Sequence, residues 1–331
     1  MRLTYMERRR RGYEEQSANG GVRRHEVWRH DYLSDPYLVG SHDDRVAERF
    51  RHVFVNQTEL TSEGKIGMLP VDVDDRFIQT FTHLLEEYGV RGGTPINVIA
   101  DARAPILRYF ENGTPIAVNI FSGYTPPGGQ FFVKYGRREF LEPMLRDGQI
   151  RVCPASFYNS GNLLEAVRDD EVTRNFFIPT YRERLKGKRH LDIQGHRIEF
   201  GDDDIVLPVV VPDYYLFSVC DHIYYRMPTD FGANAALIIR DPALFAQRVI
   251  SAFLAQATGW EPLSGPVTYY DPYRDYTKFK VPELAKHFGY SYQREHRIVF
   301  RATHRISTQL EPVHLNIGSM TDYAELLSAE G

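Results

Sequence analysis

Phe131-Phe132-Val133-Lys134-Tyr135, the segment Arg138 to Arg146, and Ile150-Arg151-Val152-Cys153 together decide the fold class. The first reads as a strand and the second as a helix closed by Asp147-Gly148. The third is another strand, leading into the turn Pro154-Ala155-Ser156-Phe157-Tyr158-Asn159. Beyond this unit, Ile205–Val211, Tyr214–Cys220, Ala235–Ile239, Val267–Tyr270 and Ile298–Arg301 read as strands. Only Asp241–Ala257, with Pro242 near its start, and Pro282–Phe288 read as helices. Strands that dominate without regular β-α-β alternation predict an α+β protein rather than a doubly wound sheet.

Working toward the N-terminus, Gly123-Tyr124-Thr125-Pro126-Pro127-Gly128-Gly129 is the clearest breaker cluster and the candidate domain boundary. Before it, Phe77, Ile78, Phe81, Leu84 and Leu85 fall near helical spacing, which predicts a helix over Asp75–Tyr88, ended by Arg91-Gly92-Gly93-Thr94-Pro95. Asn97–Ala100 and Ile116–Ile120 read as short strands, so residues 31–125 are expected to form an α/β accessory unit. Residues 1–30 carry eight Arg against four Glu around a Ser-Ala-Asn-Gly-Gly stretch and read as a mobile basic arm.

Composition bounds the function. With 331 residues, 42 % hydrophobic and 25 % charged, the chain is an ordinary globular one, not disordered, collagenous or membrane-embedded. The formal charge of -4 argues against a uniformly basic nucleic-acid binder. Aromatic residues make up 13 %, which suits a well-filled core or a cleft that stacks flat ligands. Cys153 and Cys220 are too few for a disulfide framework, and a reducing, cytoplasmic setting is expected. No apolar run approaches the ~20 residues that span a bilayer, and no apolar stretch follows the basic start, so neither membrane insertion nor a secretory signal is expected.

The familiar site motifs are missing: no G-x-G-x-x-G, phosphate loop, H-E-x-x-H or G-x-S-x-G occurs. Asp202-Asp203-Asp204 reads as a solvated turn rather than a metal site, and the scattered histidines lack ligand spacing. The segment with a chemical suggestion is Tyr290-Ser291-Tyr292-Gln293-Arg294-Glu295-His296-Arg297. In a strand, Gln293 and Glu295 project to one face. A carboxylate there can stabilise the cationic sugar that forms as a glycosidic bond breaks, while Gln293 orients the acceptor. The plainer alternative is an exposed strand in which Glu295 pairs with Arg294 or Arg297.

Three blocks occur in a recognisable order: Phe132–Tyr135 through Gly148–Asn159, then Phe217–His222 through Phe231–Ile239, then Tyr292–Arg297 with Ile317-Gly318. This order resembles a bacterial family of unknown function, with a Lys-Tyr, helix, strand, Pro-x-Ser-x-Asn opening and a Glu-x-Arg strand near the end. The layout is in turn similar to the ADP-ribosyltransferase superfamily, including DarT-type toxins. The resemblance covers roughly residues 130–325 and implies a split mixed or antiparallel sheet and a catalytic domain over 130–331. It implies NAD as cofactor, with Lys134 or Tyr135 holding its ribose or phosphates and Ser156, Tyr158 and Asn159 lining the nicotinamide-ribose side. Phe231 would stack the nicotinamide ring. Glu295 would be the catalytic carboxylate and Gln293 would position the acceptor. The departure is that Lys134 stands where a first-strand Arg or His is expected.

The resemblance thus implies a transferase acting as an intracellular toxin or phage-defence effector, with an antitoxin or partner subunit as a further expectation. Arg182, Arg184, Lys186, Lys188 and Arg189 face only Glu183 nearby in sequence, a candidate docking segment for RNA or DNA. The alternatives are a metal-dependent nuclease built on Asp202, Asp203, Asp204 and Glu295, and a non-catalytic module that binds nucleic acid or a partner.

Overall fold

The structure, a computed structural model, describes residues 2–69, 75–193, 195–275, 280–306 and 308–329. The N-terminal part is helical: α1 (Arg2–Ala18), α2 (Arg24–Ser34), α3 (Asp43–Gln57), α4 (Asp75–Arg91) and α5 (Ile96–Leu107). The described strands of this part are one small hairpin, Thr58–Leu60 with Ile66–Met68. Residues 131–329 carry a large antiparallel sheet, so the chain is α+β. Among the described residues, eight strands build that sheet: β1 (Phe132–Gly136), β2 (Gln149–Pro154), β3 (Tyr215–Cys220), β4 (Ala235–Ile239), β5 (Trp260–Pro266), β6 (Glu295–Ala302), β7 (Val313–Asn316) and β8 (Ala324–Ser328).

The sheet forks at β3. Along one edge β3 pairs continuously with β6, from Glu295↔Cys220 to Phe300↔Tyr215. Its other edge is shared: β1 meets it only at Val133↔Cys220, and β2 takes over at Cys153↔Leu216 and Pro154↔Tyr215. One arm then runs β1-β4-β8 and the other β2-β7.

The arms diverge because α6 (Arg138–Asp147) joins them. It ends at Gly148, whose φ of 69° is the left-handed conformation glycine tolerates best. A Cβ at Gly148 would lie 2.2 Å from the Gly318 carbonyl oxygen, so only glycine fits there. α7 (Pro242–Gln256) covers one face of the sheet. Asp241 caps it by accepting from the Leu244 N–H at 2.9 Å, and Phe245, Val249 and Phe253 form its inward stripe. Phe253 stacks on Phe300 with centroids 3.7 Å apart. On the opposite face, Val133, Tyr135, Ala236 and Ile238 pack against the short helix Ile116–Ile120 and Met227. Covered on both sides, β4 is buried at every residue, which explains its unbroken apolar run.

Several sequence expectations are corrected. Asn97–Ala100 lies within α5, and Ile116–Ile120 is helical. A short apolar run does not separate strand from buried helix; the missed cue was the proline before each run, since Pro95 and Pro115 take the N-cap positions. The expected basic arm is not free over its described residues, which form two helices. Tyr5 crosses α4 at Gly89, where a Cβ would sit 2.3 Å from the Tyr5 hydroxyl. Glu86 then accepts from Tyr5 Oη at 3.1 Å and Arg9 Nη2 at 3.1 Å and forms an ion pair with Arg29, whose Nε lies 3.2 Å away. Pro282–Phe288 is not a helix either: one 3₁₀ turn (Pro282–Leu284) precedes the strand Ala285–His287, which runs parallel to Thr268–Tyr270. No described helix is long and apolar enough to cross a membrane.

The two parts share an apolar core. Tyr273 and Phe288 join Phe50, Val53 and Leu84 in the helical cluster. The polar fastener is Arg49 of α3, whose Nη1 and Nη2 reach the two Asp271 carboxylate oxygens at 2.9 and 2.5 Å. Arg49 is 3 % exposed, and its replacement takes away both hydrogen bonds to the Asp271 carboxylate, leaving Arg274 as the nearby positive charge. Arg49→Met is expected to lower unfolding free energy by about 3 kcal/mol or more, read by denaturant titration; a change under about 1 kcal/mol would contradict this fastener.

Candidate functional site

The sheet register predicts where the site side chains point. Directly paired residues share a face, so Glu295, Cys220 and Val133 project together, and Tyr135 joins them two residues along β1. Lys134 projects to the other face. Its ammonium donates to the Ser218 carbonyl at 2.8 Å and lies 4.5 Å from the Phe217 ring centroid, and desolvation lowers its pKa.

Gln293 and Glu295 do converge, but not by strand alternation. Gln293 closes a 3₁₀ segment (Phe288–Gln293), Arg294 turns the chain at φ 43°, and β6 begins at Glu295. This left-handed conformation is uncommon for a side-chain-bearing residue. Asp221 stabilises it by pairing with Arg294 Nε at 2.9 Å, while its N–H donates to the Arg294 carbonyl at 3.1 Å. The turn aims both side chains at Lys286, whose Nζ lies 2.9 Å from Gln293 Oε1 and 2.6 Å from Glu295 Oε1.

Lys286 belongs to a buried ionic network. Arg297 is 0 % exposed; its Nε donates to Glu295 Oε2 at 2.9 Å, and its Nη1 and Nη2 to Glu171 at 2.9 and 2.5 Å. Ser218 Oγ adds a bond to Glu295 Oε2 at 3.3 Å. Burial opposes ionisation of Glu295, but Lys286 and Arg297 outweigh it and hold the carboxyl well below the usual carboxylate range. Both oxygens are engaged, and Glu295 lines none of the described hollows. The sequence-stated alternative, pairing with Arg297, is therefore present in a buried form.

A cleft of about 360 Å³ opens beside this network. One wall is α3, through Arg45, Arg49 and His52; the other is built by residues 165–177 and 270–292. Tyr290 and Tyr292 line it, and Lys286 Nζ lies 4.7 Å behind the Tyr290 ring. Most lining charges are neutralised locally: Arg226 Nε meets Asp230 at 2.8 Å, and Arg51 pairs with Glu165. Arg45 differs. Its guanidinium carbon lies 4.3 Å from the Phe177 ring centroid, and its buried Nη1 has no hydrogen-bond partner among the described residues. Asp169, also in the wall, is partly exposed; desolvation, then the Glu171 carboxylate, push its carboxyl up to about 7. His287 is driven down to about 4 by burial, so the imidazole is neutral near pH 7.

The remaining expected residues scatter around this centre. Tyr158 packs against the cluster of Leu216 and Val299, and its carbonyl accepts the Asp169 N–H at 3.0 Å. Tyr135 donates to the His222 carbonyl at 3.4 Å and stacks on Phe231 with centroids 6.2 Å apart. Ser156 Oγ donates to Asp213 at 2.6 Å, anchoring the turn, and Asn159 is exposed at its end. None of Lys134, Tyr135, Ser156, Tyr158, Asn159 or Phe231 lines the cleft. Arg45, Asp169, Glu171 and Lys286 were not anticipated, although Arg168-Asp169-Asp170-Glu171 is a visible charge run after the Pro154–Asn159 turn.

The other candidates are corrected by their partners. The segment 182–189 is not an unopposed basic patch, because folding supplies distant acids: Arg182 Nε meets Asp35 at 2.9 Å and Arg189 meets Asp202 at 2.8 Å. Lys186 and Lys188 share Glu183 at 2.6 and 3.0 Å. The acidic triplet diverges. Asp202 turns to Arg189, Asp203 to His42, and Asp204 inward to Ser41 Oγ at 2.7 Å, far from the contacts of Glu295. The convergence that the nuclease alternative requires is therefore not met. No protein-family model, curated protein or solved structure matches the chain.

The network makes a sign-definite prediction. A folded pKa below the unfolded value of about 4.3 means that Glu295 stabilises the fold above that pH, and that this contribution is lost as the pH falls through the depressed folded value. Glu295→Gln is expected to cost about 3–5 kcal/mol at neutral pH and to flatten the acid limb of the stability profile. Chemical denaturation across pH reads both; an unchanged acid limb would show that Glu295 is not held as described.

Proposed function

We propose that the protein is an NAD-dependent ADP-ribosyltransferase that binds NAD in the cleft between α3 and the 165–177 and 270–292 walls. The observation that carries this reading is the cleft itself. Its volume of about 360 Å³ lies in the range of small-molecule sites. Tyrosine and phenylalanine rings offer stacking surfaces for a base, including the cationic nicotinamide. The unpartnered Arg45 N–H is a donor suited to a phosphate oxygen. The forked antiparallel sheet, with Glu295 opening β6 behind the cleft, supports the same reading.

As the bond from ribose C1′ to the nicotinamide nitrogen breaks, its electron pair stays with nicotinamide and positive charge develops on the sugar. Among the acids of the network Asp169 lines the cleft and faces that charge, while Glu171 and Glu295 lie behind the wall, paired with Arg297 and Lys286. Preorganised charge of this kind costs no reorganisation during reaction. Glu295 serves here as a positioning residue: it fixes Lys286, which lies against Tyr290 and holds Gln293. Gln293 in turn donates to the Ala166 carbonyl of the wall at 2.7 Å. The acceptor in this reading is a nucleophile on a nucleic acid or protein, or water when none is docked. A role as a toxin or defence effector rests on the family resemblance alone.

Incubation with NAD labelled in the adenylate half tests the reading: the expected result is release of nicotinamide and transfer of label to nucleic acid or protein. Arg45→Ala removes one charge-assisted hydrogen bond of about 1.5–3 kcal/mol and is expected to raise the KM for NAD by about tenfold or more. Neither nicotinamide release nor label transfer from the wild-type protein would overturn the assignment.

A further inference from the structure

We propose that Asp169 is the proton acceptor of the cleft, taking the proton from the acceptor hydroxyl or water oxygen as that oxygen attacks the ligand's reacting carbon. The inference rests on the NAD reading for the identity of that carbon, ribose C1′.

The argument is one of position and partners. Asp169 lines the cleft, and its backbone N–H is tied to the Tyr158 carbonyl at 3.0 Å, which anchors its place in the wall. The other acids of the cleft are committed or stand apart. Asp170 caps the N–H groups of Val172 and Thr173 at 3.1 and 2.7 Å. Glu165 pairs with Arg51 and Arg108, and Asp230 with Arg226 and Tyr109. Glu48 is exposed on α3. Among the described residues the Asp169 carboxyl makes no hydrogen bond or ion pair, and the residue is partly exposed where it lines the cleft. A partly buried, unpartnered carboxyl that still reaches a cleft is poised to exchange a proton rather than to hold a structure together.

The groups packed around it set the protonation. Glu171 and Glu295 disfavour its ionisation, while Lys286 and Arg297 favour it. The phenols of Tyr270 and Tyr290 lie within its field and are themselves pushed up, first by burial and then by Asp169. Desolvation prevails, so the carboxyl titrates close to neutral pH, where a general base is most effective.

The step balances. The oxygen lone pair of the acceptor forms the new bond to C1′. The C1′–N bond breaks, and its electrons neutralise the pyridinium to give nicotinamide. The O–H proton passes to Asp169, which later returns it to solvent. The products are ADP-ribosylated acceptor, nicotinamide and one proton.

The test is the rate of nicotinamide release by the full chain from about pH 5 to pH 9. The wild-type rate is expected to rise with pH through a midpoint near 7, because the base must be ionised. Asp169→Asn is expected to lower kcat by about 100-fold or more and abolish the midpoint, with the KM for NAD within about twofold. Asp169→Glu is expected to recover part of the rate. An active wild type with no midpoint between about pH 6 and 8, or an Asp169→Asn protein at the wild-type rate, overturns the Asp169 assignment and leaves the NAD reading standing. Should Asp169→Asn fail to fold, the wild-type profile alone decides. A wild type that releases no nicotinamide at any pH overturns both.

Discussion

A guanidinium with no access to water, that of Arg297, governs this structure. An unpaired buried charge is prohibitive, so its partners are obligatory. Glu171 and Glu295 supply them from opposite sides, and Lys286 completes the charge balance. Two stretches distant in sequence are thereby brought to one place: the loop before residue 173, and residues 285–295, which hold the strand Ala285–His287, the turn at Gln293 and the start of β6. The loop and the stretch from His287 to Tyr292 also line the cleft, so the network that holds the sheet to its loops stands directly behind the hollow.

The N-terminal helices complete that hollow. α3 closes the cleft with Arg45, Arg49 and His52, and Arg49 locks it to Asp271. Charge is therefore arranged in two ways around one space. Arg49, Arg51 and Arg226 are spent on acids and hold the walls. One Arg45 N–H and the Asp169 carboxyl have no hydrogen-bond partner among the described residues. A donor and a titratable acceptor left unmatched in an aromatic cleft are chemically costly unless a ligand uses them, which is the physical reason for reading this space as a site.

The α+β class and the arrangement around α6 were legible because the strands of the sheet are apolar runs closed by strong breakers, as at Gly148. That Gln293 and Glu295 come together was expected from strand alternation, but the strand begins only at Glu295 and the turn at Arg294 brings them together, and the confinement of Glu295 was not legible. That confinement comes from Lys286, which lies in the 282–288 segment that reads as a helix; the pairing with Thr268–Tyr270 makes residues 285–287 a strand instead. The basic N-terminus was misread for the same reason. Its arginines are matched by Glu86, more than fifty residues away, and composition carries no information about such pairings. The basic run at 182–189 repeats the lesson with Asp35 and Asp202.

The central claim is that ligand chemistry belongs to the cleft between α3 and the Asp169–Tyr292 walls, with the Arg297 network behind it. Crystals grown with NAD test this most directly. The account predicts electron density for the dinucleotide in that cleft, a phosphate beside Arg45, and the ribose C1′ facing Asp169. Density for NAD elsewhere on the molecule, with the cleft still open, would contradict it.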